Sequence, residues 1–350
     1  MSVRPTIHSI ANLEYTLSEM LEISHDAWIK IVEFTQTNTA VTMRVVRENE
    51  FKSAFFIKTL TKTNESQSAS RLGVREVQFY DFINLFDTDL FTAVPKCFRH
   101  HISEDGKRYY LVLEDLSATH QDYRDIDFND LESWRYALRA LAHFHKNLCG
   151  KLSPEQINAH TDDENKIERY IGKLEKSYSL FREYAQDRVD DSVLSLLERS
   201  IPVIRKIELE KYIRINENKI TTILNRDCHL RNFLYPRQMG GSAKIVDWQF
   251  WGMGIGTFDL RHLLGSALNG EMRKHQRELV QYYYQYFTED NPIDYPWEIC
   301  WEDYRKGIID NLFMPVWQYA GFGWEYERWE NTLHSAVENY YALDCDEIVL

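Results

Sequence analysis

Three residues in the later half of this 350-residue chain have the types and spacing that phosphoryl transfer from ATP requires. In Leu224-Asn-Arg-Asp-Cys-His-Leu-Arg-Asn-Phe-Leu-Tyr235, Asp227 precedes Asn232 by five residues, and Asp247 ends the apolar run Lys244-Ile-Val-Asp247. Such a transfer needs one carboxylate to orient the acceptor hydroxyl and take its proton. It also needs a carboxylate, with an amide or second carboxylate, on Mg2+ to neutralise the polyphosphate. A loop Asp-x4-Asn followed by an Asp at a strand end supplies those groups in that order. Asp and Asn are also ordinary turn residues, so the segment alone can be read as capped turns around a hairpin.

Two upstream residues weigh against that plainer reading. Lys58 lies inside the apolar run Phe55-Phe-Ile-Lys-Thr-Leu60, where a charge is costly to bury unless it is paired or faces a ligand. Eighteen residues on, Glu76 sits in Val74-Arg-Glu-Val-Gln-Phe-Tyr80. A strand lysine held by a helix glutamate and aimed at the α- and β-phosphates is the kinase arrangement. Each of the two has a bland alternative, an edge lysine reaching solvent and a glutamate on a polar face. The alternative weakens when all the parts occur in kinase order. Tyr110-Leu-Val-Leu-Glu-Asp-Leu116 runs from a strand into a turn, where an adenine edge would pair with backbone groups.

These residues need elements to position them. Residues 14–27 read as an amphipathic helix, and 29–35, 40–46 and 51–60 as strands of an antiparallel meander. Residues 74–86 read as a helix, with strands at 96–103 and 108–113 joined by Glu104-Asp105-Gly106. The remainder is helical at 130–147, 165–186, 190–214, 271–287 and 297–341. It is interrupted by a non-helical island over 220–250 with short strands at 220–224 and 244–248. The spacing thus predicts an α+β protein: a small antiparallel sheet with one helix over residues 1–116, and a larger, mostly helical part over 117–350.

Composition narrows the partners. With 41 Lys and Arg against 54 Asp and Glu, the net charge is −13, which argues against nucleic acid or an anionic membrane as the main partner. No apolar stretch has the length of a membrane span or the form of a signal peptide. The five cysteines are widely spaced and include no Cys-x-x-Cys pair, so a reducing, cytoplasmic setting is expected. Gly252-Met-Gly-Ile-Gly256 lacks the spacing of a dinucleotide fingerprint and reads as a mobile connection. Asp227, Cys228 and His229 are too close in sequence to converge on one transition metal. His229 reads as a brace within its loop, and His143 and His145 as structural.

The segments VREVQFY, LVLEDLSATH, LNRDCHLRNFLY and AKIVDWQFWGMGIGTFDLRHLL resemble bacterial phosphotransferases of the aminoglycoside phosphotransferase and choline kinase superfamily, in particular its ecdysteroid-kinase-like branch. The resemblance spans nearly the whole chain. It implies the two-lobed protein-kinase-like fold and transfer of the γ-phosphate of ATP to a small-molecule hydroxyl. By this resemblance Asp227 is the catalytic base, and Asn232 and Asp247 hold Mg2+. Lys58 contacts the phosphates, Glu76 positions Lys58, Glu114 to Leu116 form the hinge, and Asp259 braces the catalytic loop.

The chain departs from the family pattern twice. Where the loop usually begins His-Gly-Asp, it reads Asn225-Arg226-Asp227, and an arginine is strained if that site needs φ > 0. The phosphate-covering segment around Thr37, Asn38 and Thr39 has no glycine, although amides and hydroxyls can still cradle phosphate. These departures motivate two alternatives: a nucleotide-binding protein without turnover, or an antibiotic-modifying kinase of the same reaction type. The aromatic C-terminal third reads mainly as helical core. Aromatic faces near Asp303, Asp310 and Glu325 would suit a cationic or ring-shaped alcohol.

Overall fold

The computed structural model describes residues 13, 15–22, 29–36, 40–47, 53–61, 66–161, 164–268, 270–291 and 293–349. Thr37, Asn38 and Thr39 lie outside the described residues. In chain order come α1 (Leu17–Leu21), β1 (Ile29–Gln36), β2 (Val41–Arg47), β3 (Ser53–Thr59), α2 (Gln67–Ile83), β4 (Cys97–Ile102), β5 (Tyr109–Glu114) and β6 (His120–Gln121). They are followed by α3 (Leu131–Leu148), α4 (Pro154–His160), α5 (Glu164–Ala185), α6 (Asp191–Glu217), β7 (Thr221–Leu224), β8 (Phe233–Pro236), β9 (Lys244–Ile245) and β10 (Gly252–Ile255). The last elements are α7 (Thr257–Ala267), α8 (Gly270–Arg273), α9 (Gln276–Thr288), α10 (Trp297–Asn311), α11 (Met314–Phe322), α12 (Tyr326–Ala342) and α13 (Asp346–Val349). The chain divides into two units, Met1–Ile126 with Asn232–Trp251, and Asp127–Arg231 with Gly252–Leu350.

In the first unit five antiparallel strands lie in the order β1-β2-β3-β5-β4. Alternation along the strands sends Met43, Val45, Ile57 and Val112 into one cluster with Met20 and Leu21 of α1. A capping box between Thr16 and Glu19 starts that short helix. Lys58, next to Ile57, is directed the opposite way, toward α2. Ser66 caps α2, and its buried positions Ala69, Gly73, Glu76, Val77 and Tyr80 recur at helical spacing. At Gly73 the helix comes so near β5 that a Cβ would sit 1.9 Å from the Tyr109 ring. A glycine is what permits that approach.

Residues 232–251 belong to the first unit, whereas a boundary at 116/117 leaves them with the later part of the chain. Pairing and burial explain the difference. β8 pairs with β6 and with β9, and the Ile245 N–H donates to the Ala93 carbonyl at 2.7 Å. Trp248, fully buried, lies flat on Phe79 of α2 with ring centroids 4.0 Å apart.

In the second unit β7 and β10 form an antiparallel pair in which every residue is buried. The glycine run at 252–256 is therefore a strand and its helix cap rather than a mobile connection. Its glycines serve close packing: a Cβ on Gly254 would meet the Leu224 side chain at 2.3 Å. Around the pair, α3 packs on α9, α10 on α7, and α5 on α6. The single helix expected over 297–341 is broken into α10, α11 and α12. Pro315 stands in the first turn of α11, and Gly323 ends that helix at φ 64°.

Candidate active site

Within the first unit, Lys58, Glu76 and Asp247 converge from three separate elements. Lys58 Nζ lies 2.5 Å from Glu76 Oε2 and 2.7 Å from Asp247 Oδ1. Burial opposes the ammonium charge, but the two carboxylates outweigh it and hold the Lys58 pKa above the usual lysine range. Burial also pushes the Glu76 carboxyl up, with the Lys58 charge working against that rise. The three are not equally enclosed. The Glu76 side chain is 3% exposed and that of Asp247 is 31% exposed, so Asp247 is the member that meets solvent.

Asn232 arrives beside Asp247 through the hairpin. The register Phe233↔Ile245 continues into a bond from the Val246 N–H to the Asn232 carbonyl at 2.9 Å. Asp247 takes φ 61°, and its second oxygen accepts from the Gln249 amide at 3.2 Å. The segment beyond it is clamped to α2: the Trp248 N–H donates to Glu76 Oε1 at 3.4 Å, and the Trp251 indole donates to the Arg75 carbonyl at 2.9 Å. Arg75 in turn donates to the Trp251 carbonyl. One helix thus positions both the glutamate that holds Lys58 and the backbone that carries Asp247.

The second unit holds Asp227 on the loop after β7. Asp259, buried in the first turn of α7, accepts the Asn225 N–H at 2.6 Å and the Arg226 N–H at 2.9 Å. His145 stands 3.4 Å from the same carboxylate, with its other ring nitrogen 2.8 Å from the Tyr283 hydroxyl. Asn225 Oδ1 accepts the Asp227 N–H at 3.1 Å. Arg226 adopts φ 65°, in the left-handed region, which is the condition under which an arginine there is strained, and its guanidinium donates to the Met253 carbonyl at 2.9 Å. His229 Nε2 is 3.6 Å from Asp227 Oδ2.

Other sequence candidates fare differently. Glu114 ends β5, with its N–H bonded to the Lys96 carbonyl, and the Leu116 carbonyl accepts the Thr119 and His120 N–H groups. Asp303 is buried and gripped by Arg214 and the Tyr295 hydroxyl. Asp310 pairs with Arg261 at 2.7 Å. Sequence reasoning missed the support given by His145 to Asp259, and the stack of Trp248 on Phe79. The latter had a signal, since Trp248 follows Asp247 directly and Phe79 lies one helical turn after Glu76.

Solved structures share this architecture. One is a putative aminoglycoside phosphotransferase from Ralstonia eutropha (12% identity, 97% of this chain and 95% of that one, TM-score 0.55). Another is an ethanolamine kinase from Plasmodium vivax (11% identity, 94% and 84%, TM-score 0.51). A third is an amicoumacin kinase in complex with AMP-PNP, Ca2+ and Ami (11% identity, 96% and 92%, TM-score 0.55). At such identities the likeness is one of fold, and that fold is kinase-like. The chain belongs to the ecdysteroid kinase-like family, whose model it matches over residues 34–291. A comparison with curated proteins gives no match.

Proposed function

We propose that the protein is a phosphotransferase that uses ATP and Mg2+ to phosphorylate a hydroxyl of a small molecule. The observation that carries this reading is Lys58 held between Glu76 and Asp247 inside one unit. The same three groups would be an uneconomical way to stabilise a sheet, because buried ion pairs contribute little net stability.

The donor set fits a divalent metal that keeps part of its water. Asp247 offers carboxylate oxygen on its exposed side, and Asn232 is the neighbouring side chain that could add an amide oxygen. Among the described residues no cluster of three or more His, Cys, Asp or Glu side chains forms a closed metal cage. Mg2+ characteristically accepts one or two protein ligands together with substrate phosphates. Bound there, the metal would supply charge neutralisation for the β- and γ-phosphates.

The chain's own residues do the rest. Lys58 binds the α- and β-phosphates, with Glu76 holding its ammonium in place. The backbone from Glu114 to Leu116 pairs with the adenine edge. Asp227, fixed by Asn225 and the Asp259-anchored loop, orients the acceptor hydroxyl and takes its proton. The hydroxyl oxygen forms the new bond to the γ-phosphorus as the bond to the β,γ-bridging oxygen breaks, releasing ADP. A cytoplasmic setting suits five free cysteines, four of them buried.

The test uses purified protein with Mg·ATP and a panel of small alcohols, followed by mass spectrometry for an added phosphate. Asp227→Asn is expected to retain Mg·ATP binding and lose product. Absence of both nucleotide binding and product across the panel would falsify the reading. Binding without product would select the alternative of a nucleotide-binding protein without turnover.

A further inference from the structure

A cavity of about 280 Å³ opens inside the second unit beside the Asp227 loop, with Leu224 and Arg226 in its wall. That is just under the roughly 300–1,000 Å³ of pockets for drug-sized ligands, so its occupant is a small molecule. Its apolar surface comes from Ile167, Tyr170, Tyr212 and Phe258.

The charges around it set the kind of molecule. Four cations line the cavity: Lys166, Lys211, Arg226 and Arg261. Three anions do so: Glu208, Asp259 and Asp310. The lining is therefore 4 − 3 = +1, in a chain whose net charge is −13. His262 adds no charge at neutral pH, because burial and the Arg261 cation push its pKa down to about 4. Each carboxylate is already engaged: Glu208 by Lys211, Asp310 by Arg261 and the Tyr170 hydroxyl, and Asp259 by two backbone N–H groups.

Arg226 differs. Its guanidinium is bonded to a carbonyl, and among the described residues no carboxylate pairs with it. Of the three aromatic side chains in the wall, Phe258 already has its face taken. Lys211 Nζ lies 4.4 Å from the Phe258 ring centroid, and the Arg261 guanidinium lies 5.8 Å from it. A cationic ligand would meet a cation at each of these places.

We propose that this cavity is the acceptor site and that it takes an alcohol carrying an anionic group, a carboxylate or a phosphate, held by the Arg226 guanidinium. The word acceptor rests on the phosphotransferase reading, and the sign of the charge rests on the cavity alone. Arg226 directly precedes the proposed base in the loop, and Asp227 itself does not line the cavity, so the acceptor hydroxyl would have to extend past Arg226 to meet it. A guanidinium suits either anion, since its planar fork matches two oxygens at once.

The test uses the full chain without nucleotide and three probes of matched shape: 4-(hydroxymethyl)benzoate, 4-(hydroxymethyl)benzamide and 4-(hydroxymethyl)benzylamine. Affinities are read by saturation-transfer NMR and calorimetry. The benzoate is expected to bind about tenfold more tightly than the amine, and its advantage should shrink as salt rises from about 0.01 to 1 M. Arg226→Gln is expected to bring the benzoate-to-amide ratio close to one, and Lys166→Gln to lower it. If the Arg226 variant does not fold, the salt series on the unaltered protein decides.

Equal affinity for the three probes, preference for the amine, or no binding of any probe overturns the proposal. Weaker Mg·ATP binding in Arg226→Gln, measured separately, with the benzoate preference unchanged would do the same, by assigning Arg226 to the nucleotide. A protein that turns over Mg·ATP on other alcohols but ignores the benzoate's charge defeats this inference alone. One that binds the benzoate and never binds nucleotide defeats the phosphotransferase reading and leaves an anion site.

Discussion

Asn225 Oδ1 accepts the Asp227 N–H at 3.1 Å, and this bond braces the loop at the position where the sequence resemblance implies a histidine. Asn225 is fully buried, so its oxygen has no ready water substitute. Asn225→Ala should cost about 1–3 kcal/mol for the orphaned donor and lower turnover more than Mg·ATP affinity. Urea melts and calorimetry, compared with the kinetics, check both. Unchanged turnover in a destabilised protein would mean that the bond is structural only.

Lys58→Met leaves Glu76 buried without its cation. Breaking a buried pair from one side costs about 3–5 kcal/mol. Adding Glu76→Gln should restore part of that loss, because the stranded charge goes with it. Denaturant unfolding of the four members of the cycle measures the coupling. Additive losses would show that the two side chains act independently.

Asp247→Ala removes the most exposed carboxylate of the cluster, the one proposed to hold Mg2+. Mg·ATP affinity should fall by at least about tenfold, the scale on which even indirect support of a metal ligand is felt. Affinity for ATP measured in excess chelator should change much less. Equal losses with and without Mg2+ would remove Asp247 from the metal's ligands.

Gly252 and Arg226 should be energetically linked. A Cβ on Gly252 would lie 2.5 Å from the Arg226 guanidinium carbon, so Gly252→Ala displaces that group and its bond to Met253. The expected cost is about 1 kcal/mol. Arg226→Gly relieves a left-handed backbone that costs a side-chain-bearing residue about 1–2 kcal/mol. In that background Gly252→Ala should be nearly neutral. Thermal melts of both single variants and the double one decide it.

His262 gives the protein an acid-sensitive stability. Burial, reinforced by the Arg261 cation, lowers its pKa from 6.5 to about 4. Between those values the unfolded chain binds more protons than the native one, so stability rises with pH across the window and is lost on acidification. The full shift corresponds to at most about 3 kcal/mol. His262→Gln should flatten the dependence between pH 6.5 and 4, as read from melting temperatures. An unchanged slope would assign the acid sensitivity to other groups.

Much of the fold was legible because the sequence pattern is local. Strands β1 to β5 and helices α2, α3, α5 and α6 follow hydrophobic periodicity to within a few residues, apart from the N-terminus of α2, which Ser66 sets. The Lys58–Glu76 pair follows the strand-lysine and helix-glutamate pattern read from the sequence, and the structure adds the direct contact of Lys58 with Asp247. What was illegible depends on contacts between distant segments. Nothing near Gly252 announces a strand, since its partner β7 lies 28 residues earlier and its glycines are there for Leu224 and Arg226. His145 reads as an ordinary core residue until Asp259, more than 100 positions later, is brought against it. The charge of the cavity was likewise hidden, because composition counts carboxylates without showing which are already paired.

The first unit is assembled from two stretches of chain, with residues 232–251 inserted from far downstream. A recombination breakpoint near residue 126 would therefore exchange Lys58 and Glu76 while leaving Asp247 behind. Chimeras of this family cut there would mate a lysine from one parent with an aspartate from another. Descent by domain shuffling should accordingly favour inheritance of the chain as a whole, and circular permutants should tolerate new termini in the 237–243 turn better than a split after 126.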